Sequence, residues 1–300
     1  MPYKGSKNGI AEWIYKHFPI RDNFYDLFAG GCAITQIALM RQEYKNYYVN
    51  DINDEGYNLF VNAIQGKYRN EKRWISREDF FRLKDKDPYI KYCWSFGNMG
   101  KTYAYNEDVE KYKKAWHNAI FFQAYKQAKE LGVNLECLYK ITDNAEKYSI
   151  LKQIAKNLYK ENIYRLQTFE RLNQLNEMSM YFLNKEIKIN KTKRSYQDVE
   201  IKENSLIYCD IPYFQTDSYN NKEFDHKAFY DWCGKQKEFV IISEYTMPED
   251  FIEIARIEKP VTLQQDGVQK AEEKLFIPKH QEEMYRKWKV EEGGYLFDFL

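Results

Sequence analysis

Four short apolar runs constrain this chain more than any other feature. They are "FYDLF" (24–28), "YYVN" (47–50), "SLIYC" (205–209) and "FVIISEY" (239–245). Runs of this length, rich in aromatic and β-branched residues and bounded by turn formers, read as strands buried on both faces. A helical pattern at 33–41 separates the first two, and another around 227–235 separates the last two. Each set is a β-α-β unit, for which a right-handed crossover is the rule. Between residues 55 and 190 long charged amphipathic stretches, 107–131 and 145–178, replace the strand signal. The expected architecture is an α/β domain built from 1–54 and 186–300, interrupted by a mostly helical insertion at 55–185. The segment "KINKTKRSYQ" (188–197) leads the chain back to the sheet, and "YLFDFL" (295–300) reads as a last strand.

Composition narrows the function classes. Forty-six basic and 45 acidic residues leave a formal charge of +1, which argues against a globally basic coat for nucleic acid but leaves room for a local basic face. Cys32, Cys93, Cys137, Cys209 and Cys233 are scattered without a C-x-x-C pair, so a structural zinc site is not expected, and an odd count without a signal peptide suits a reducing, cytoplasmic setting. No apolar run approaches the length of a membrane span.

Two motifs carry candidate chemistry. In "DLFAGGCA" (26–33) a strand ends, glycines follow and a helix begins, the arrangement that lets a ligand approach backbone N–H groups at a helix start. Asp51, twenty residues after Gly31 and at the end of the second strand, is placed to accept hydrogen bonds from ribose hydroxyls. A plain tight turn explains the glycines equally well; with Asp51, nucleoside binding becomes the stronger reading. In "YCDIPYF" (208–214) a strand stops on Asp210 and displays Tyr213 and Phe214. The Asp210 carboxylate and the Ile211 carbonyl, aimed by Pro212, could accept the two hydrogens of an aromatic amine while Tyr213 stacks on its ring. The bland alternative is an Asp-x-Pro turn with a buried tyrosine. Lys7 in "YKGSK" (3–7) could pair with a carboxylate or stand in solvent.

Taken in order, these segments resemble the Dam-like adenine-N6 DNA methyltransferases of the D12 class, in particular the phage and prophage branch. "YKGSK" looks like the family's N-terminal cofactor motif, "DLFAGGCA" its glycine motif, "NDIN" its ribose-binding acid, "SYQDV" (195–199) its acidic motif and "YCDIPY" its D-P-P-Y catalytic motif. The resemblance implies a Rossmann-like methyltransferase sheet with an inserted target-recognition domain. It implies S-adenosyl-L-methionine as cofactor, with S-adenosyl-L-homocysteine as product, and methyl transfer to the N6 amine of an adenine flipped from double-stranded DNA. Cofactor contacts would fall on Tyr3, Lys7, Asp26, Phe28, Ala29, Gly30, Gly31, Cys32, Asp51, Ile52, Asp198, Val199 and Asp210. Catalysis would fall on Asp210, Ile211, Pro212 and Tyr213, with no metal. Two departures stand out: Ile211 replaces the usual first proline, keeping the carbonyl but adding an N–H, and Cys32 replaces a family glycine.

The insertion contains "CWSFGNMGKTYAY" (93–105), an ordered-looking loop. Asn98, Lys101 and Tyr103 fit loosely the family loop that touches DNA; packing beneath the insertion helices is the alternative. Lys191, Lys193 and Arg194 are candidates for phosphate contacts or for a solvated connection, and Phe214 and Phe224 for the adenine pocket. Lys111, Lys113 and Lys114 read as a solvated helix face, and His117, His226 and His280 carry no functional signal. The expected protein is a nucleoid-associated monomer or weak dimer with no membrane partner, for which a cognate restriction endonuclease is a candidate partner. Competing readings are a catalytically decayed DNA-binding relative and an N-methyltransferase acting on RNA or a protein amide.

Overall fold

The computed structural model describes residues 1–3, 5–158, 163, 165–213, 224–260 and 270–291. The chain forms two compact units, one of Ser6–Tyr57 with Glu186–Leu300, the other of Met1–Gly5 with Asn58–Lys185. The first five residues therefore group with the inserted segment.

The first unit is built on a seven-stranded sheet. Its strands are β1 (Asn23–Asp26), β2 (Asn46–Asn50), β3 (Ile189–Thr192), β4 (Ser205–Asp210), β5 (Phe239–Glu244), β6 (Phe251–Pro260) and β7 (Lys270–Pro278), in the order β3-β2-β1-β4-β5-β7-β6. β1 to β5 are parallel, and β7 runs antiparallel to β5 and β6. This is a Rossmann-like α/β sheet. β1, β4 and β5 are buried on both faces, as a doubly covered parallel sheet requires. On one face Tyr25, Leu27, Ile207, Cys209, Val240 and Ile242 pack with Phe229 and Cys233 of the helix His226–Cys233.

Three strands escaped the sequence reading. β3 lies inside "KINKTKRSYQ", where the lysines and Asn190 hide it; among the described residues it pairs with β2 alone, and as an edge strand it needs little apolar surface. β6 mixes apolar and charged residues in partial alternation, as a half-exposed edge strand does, whereas β7, paired on both sides, runs from charged Glu272–Lys274 into buried Leu275–Ile277. The expected strand at 295–300 lies outside the described residues.

The second unit is helical. The expected 107–131 stretch is two helices, Glu107–Phe122 and Lys126–Glu130, divided where Gln123 turns left-handed (φ 55°). Asp87 caps the helix Pro88–Cys93 by accepting the Tyr89 N–H, with proline in the first turn where its missing donor costs nothing. Trp94, Trp116, Tyr89 and Phe80 fill the interior. Lys113 departs from expectation: it is 1% exposed, and its ammonium donates to the carbonyls of Ile163 (3.2 Å) and Arg165. Burial pulls its pKa down to about 8. Among the described residues no helix is long and apolar enough to cross a membrane.

His117 is fully buried among Trp74, Trp94 and Phe121, with Nε2 2.8 Å from the Lys72 carbonyl and Nδ1 without a partner. Burial lowers its pKa to about 4 from 6.5. The folded chain thus binds fewer protons than the unfolded one between these values, and stability is lost as pH falls through that window. The loss should approach about 3 kcal/mol. Urea unfolding from pH 7 to 4 is expected to show His117→Gln with a shallower decline than the parent; parallel curves would refute the assignment.

Candidate active site

The strand order reverses between β1 and β4, and in open α/β sheets ligands bind in the crevice outside the carboxyl ends at that reversal. Asp26 ends β1, Asp210 ends β4, and Asp51 follows β2. The turn between β1 and the helix Ala33–Arg41 has Gly30 (φ 46°) and Cys32 (φ 57°) in the left-handed region. Glycine is the usual residue there because a side chain costs roughly 1–2 kcal/mol; Cys32 bears that cost with its thiol fully buried. Asp51 fastens the turn, accepting the Gly30 N–H at 2.9 Å on one oxygen and the Asn53 N–H at 2.8 Å on the other.

Three carboxylates share this crevice. Asp26 is 2% exposed and accepts from the Thr35 hydroxyl at 2.6 Å, while its other oxygen, Oδ1, is buried without a partner. Burial is the main force lifting its pKa to about 7; Asp210 and Asp51 add to it and the Thr35 hydrogen bond opposes it. Burial also raises Asp51 despite its backbone donors. Such a set favours a cation beside Asp26 and a hydroxyl donor beside Asp51. Ile52 is largely exposed next to it.

Asp210 does not stand alone. Lys7 Nζ lies 3.0 Å from Asp210 Oδ1 and 3.2 Å from Glu273 Oε1, and it donates to the Tyr213 hydroxyl, which in turn donates to Glu273. The ammonium also sits 4.3 Å from the Tyr213 ring centroid, and Tyr245 meets that ring edge-on. Burial alone would lower the Lys7 pKa, but the two carboxylates outweigh it and the net movement is upward. Burial, then Asp210 and Glu273, push the Tyr213 hydroxyl far up, so it stays protonated. Glu273 escaped the sequence reading because "KAEEKLFIP" presents it as one more charge in a strand. Ile211 is buried and Pro212 exposed. The Pro212 carbonyl lies 2.9 Å from Nε2 of His226, whose Nδ1 faces the Phe224 carbonyl at 3.0 Å.

Phe28, Phe224 and Tyr196 form an aromatic wall, with ring centroids 5.4–6.1 Å apart. Val199 packs on the same core, and Asp198 is exposed. Tyr196 was also missed, although it stands in "SYQDV". Lys191, Lys193 and Arg194 are exposed; Lys193 pairs with Asp54 at 2.8 Å and the Arg194 backbone is pinned to Asn50. Phe214 lies outside the described residues.

In the helical unit, Tyr3 packs its ring on Tyr92 at 5.1 Å. The loop after Cys93 closes through a bridge between Ser95 and Tyr103. Half-buried Arg171 holds its base by donating to the carbonyls of Cys93 (2.7 Å) and Ser95 (2.8 Å). Gly100 has φ 70°, and a Cβ there would come within 2.6 Å of the Lys91 side chain. Tyr103 points inward: it is 4% exposed and donates to the Ile75 carbonyl at 2.7 Å. That corrects the expectation of Tyr103 at a DNA surface; the loop instead displays Phe96 (64% exposed), Met99 and Lys101, with Asn98 half-buried.

A family model, the D12 class N6 adenine-specific DNA methyltransferases, matches residues 3–240. The chain belongs to this family. No curated protein matches it significantly. Membership makes the chain an adenine-specific DNA methyltransferase and implies a methyl donor. The crevice suits a donor that is cationic and carries hydroxyls: Asp26 Oδ1 is buried without a partner, and Asp51 stands at the glycine turn. A cation bound beside Asp26 would favour its ionised form, so a sulfonium donor seated there, with S-adenosyl-L-methionine as the probe, is expected to bind more tightly as pH rises through about 7. Asp26→Asn should weaken that binding and flatten the rise; an unchanged profile would show that no cation sits beside Asp26.

Proposed function

We propose that this enzyme takes its methyl group from S-adenosyl-L-methionine and delivers it to the N6 amine of an adenine turned out of duplex DNA. The observation that carries this reading is Asp210 at the end of β4, ion-paired to Lys7 beside the Asp26–Asp51 crevice. The cofactor supplies an electrophilic methyl group. Tyr3, Lys7, Asp26, Phe28, the turn from Ala29 to Cys32, Asp51, Ile52, Asp198, Val199 and Asp210 are the residues that would hold it.

The chain's own work is positioning. The amine lone pair of adenine is delocalised into the ring, so the nitrogen is a weak nucleophile. Asp210 and the Ile211 carbonyl accept its two N–H groups and draw it toward a tetrahedral shape, which frees the lone pair. Pro212 keeps Ile211 extended. Tyr213 and the Phe28–Tyr196–Phe224 wall offer ring surface to the base and the cofactor. Turning the base out is required because a stacked adenine hides both its amine and the line of approach.

The sheet unit is the catalytic domain in this reading, and the helical insertion recognises DNA. Phe96 and Met99, exposed on a loop with a rigid base, suit an apolar wedge between base steps, with Asn98 and Lys101 at base edges or phosphates. Lys191, Lys193 and Arg194 supply phosphate contacts, so binding should weaken with salt.

Genomic DNA from a methylation-free bacterial host expressing the chain is expected to carry N6-methyladenine at a recurring sequence, and none with Asp210→Ala. Methylation that survives Asp210→Ala would overturn the catalytic assignment. Phe96→Ala should weaken DNA binding roughly 10-fold or more, by analogy with the 1–3 kcal/mol lost per stacked base, and leave cofactor affinity unchanged. Unaltered DNA binding would return this loop to a purely structural role.

A further inference from the structure

Glu273 lies on β7, beyond the segment that matches the family. Its side chain is 1% exposed, and a carboxylate is not buried without a partner that holds it there. Its partners include the Lys7 ammonium at 3.2 Å, which also lies 3.0 Å from Asp210, and the Tyr213 hydroxyl, to which Lys7 donates. One buried ammonium thus touches both carboxylates.

That sharing matters for a carboxylate that must accept an amine N–H. An ammonium held by Asp210 alone would be free to follow that carboxylate, whereas one also held by Glu273 is fixed at a set distance from it. Hydrogen bonds and ion pairs to charged groups are the strong ones, and in a buried site they are barely screened. Glu273 thereby sets how closely Lys7 approaches Asp210. Glu273 also fixes the Tyr213 hydroxyl, and with it the ring at the mouth of the site. Lys7 approaches from the N-terminal segment, Asp210 from β4 and Glu273 from β7, so the arrangement exists only when all three are assembled.

We propose that Glu273 is a positioning residue of methyl transfer, which fixes Lys7 beside Asp210 and locks Tyr213 so that Asp210 can hold the amine. This rests on the assignment of Asp210 given above. The test compares the full chain with Glu273→Gln, Glu273→Asp, Tyr213→Phe and Asp210→Ala, using unmethylated bacterial genomic DNA and labelled S-adenosyl-L-methionine. Glu273→Gln keeps the shape and removes the charge. It is expected to lower kcat roughly 10- to 100-fold, with KM for DNA, cofactor affinity and melting temperature near those of the parent. Glu273→Asp should recover part of kcat, and Tyr213→Phe should lose part of it. Parental kcat in Glu273→Gln, with Asp210→Ala inactive, would overturn this inference alone. A kcat loss matched by equal losses of cofactor affinity and melting temperature would also overturn it, by making Glu273 merely structural. Activity in Asp210→Ala would instead overturn the assignment on which it rests.

Discussion

A single buried ammonium holds the reactive end of the sheet together. Lys7 is 8% exposed and reaches Asp210 on β4 and Glu273 on β7. Burying three charges is expensive, because desolvation often exceeds the attraction that repays it. A hydrophobic trio of similar volume would be as stable or more so. What such a trio could not do is keep a carboxylate ionised, aimed and bordered by a cation at the end of a central strand. The arrangement gives up stability for preorganised charge, and it is consistent that Asp26 in the next strand has a buried oxygen without a partner. The orphaned Asp26 oxygen is what a site looks like when a polar group is set for a ligand.

Much of the sheet was legible because its central strands are buried on both faces. β1, β4 and β5 appear in the sequence as apolar runs; their register, Phe24 opposite Leu206 and Leu206 opposite Phe239, comes from the structure. The edges were harder. β3 exposes Lys191, holds Asn190 half-buried against the Tyr47 carbonyl and lies at the sheet edge, so nothing in its composition demands a strand; its partner β2 creates it. The β6–β7 hairpin did carry an alternating signal, in "FIEIARIEKP", that was passed over.

The candidate site divides in the same way. Asp51 could be named from its spacing to the glycine turn and Asp210 and Tyr213 from the motif at their strand end, while Asp26 followed only from the family resemblance. Glu273 could not, since its meaning comes from Lys7 and Tyr213, 206 residues apart from one another in sequence. Cys32 was noticed as a substitution, but only its φ of 57° shows what the substitution costs the turn. In the insertion, the spacing that pointed to Tyr103 was misleading because the loop folds that ring under itself; exposure, which spacing does not encode, belongs to Phe96.

The order of synthesis gives the split sheet a further meaning. β1 and β2 leave the ribosome early, yet β4, which flanks β1 on its other side, begins at Ser205, roughly 150 residues later. At about 5–20 residues per second that is a wait of roughly ten to thirty seconds, during which one edge of β1 has no neighbour. The helical unit, rich in local contacts, can form in that interval. The nascent chain therefore carries an unfinished sheet until β4 emerges, and the cluster of Lys7, Asp210 and Glu273 can assemble only once β7 has followed.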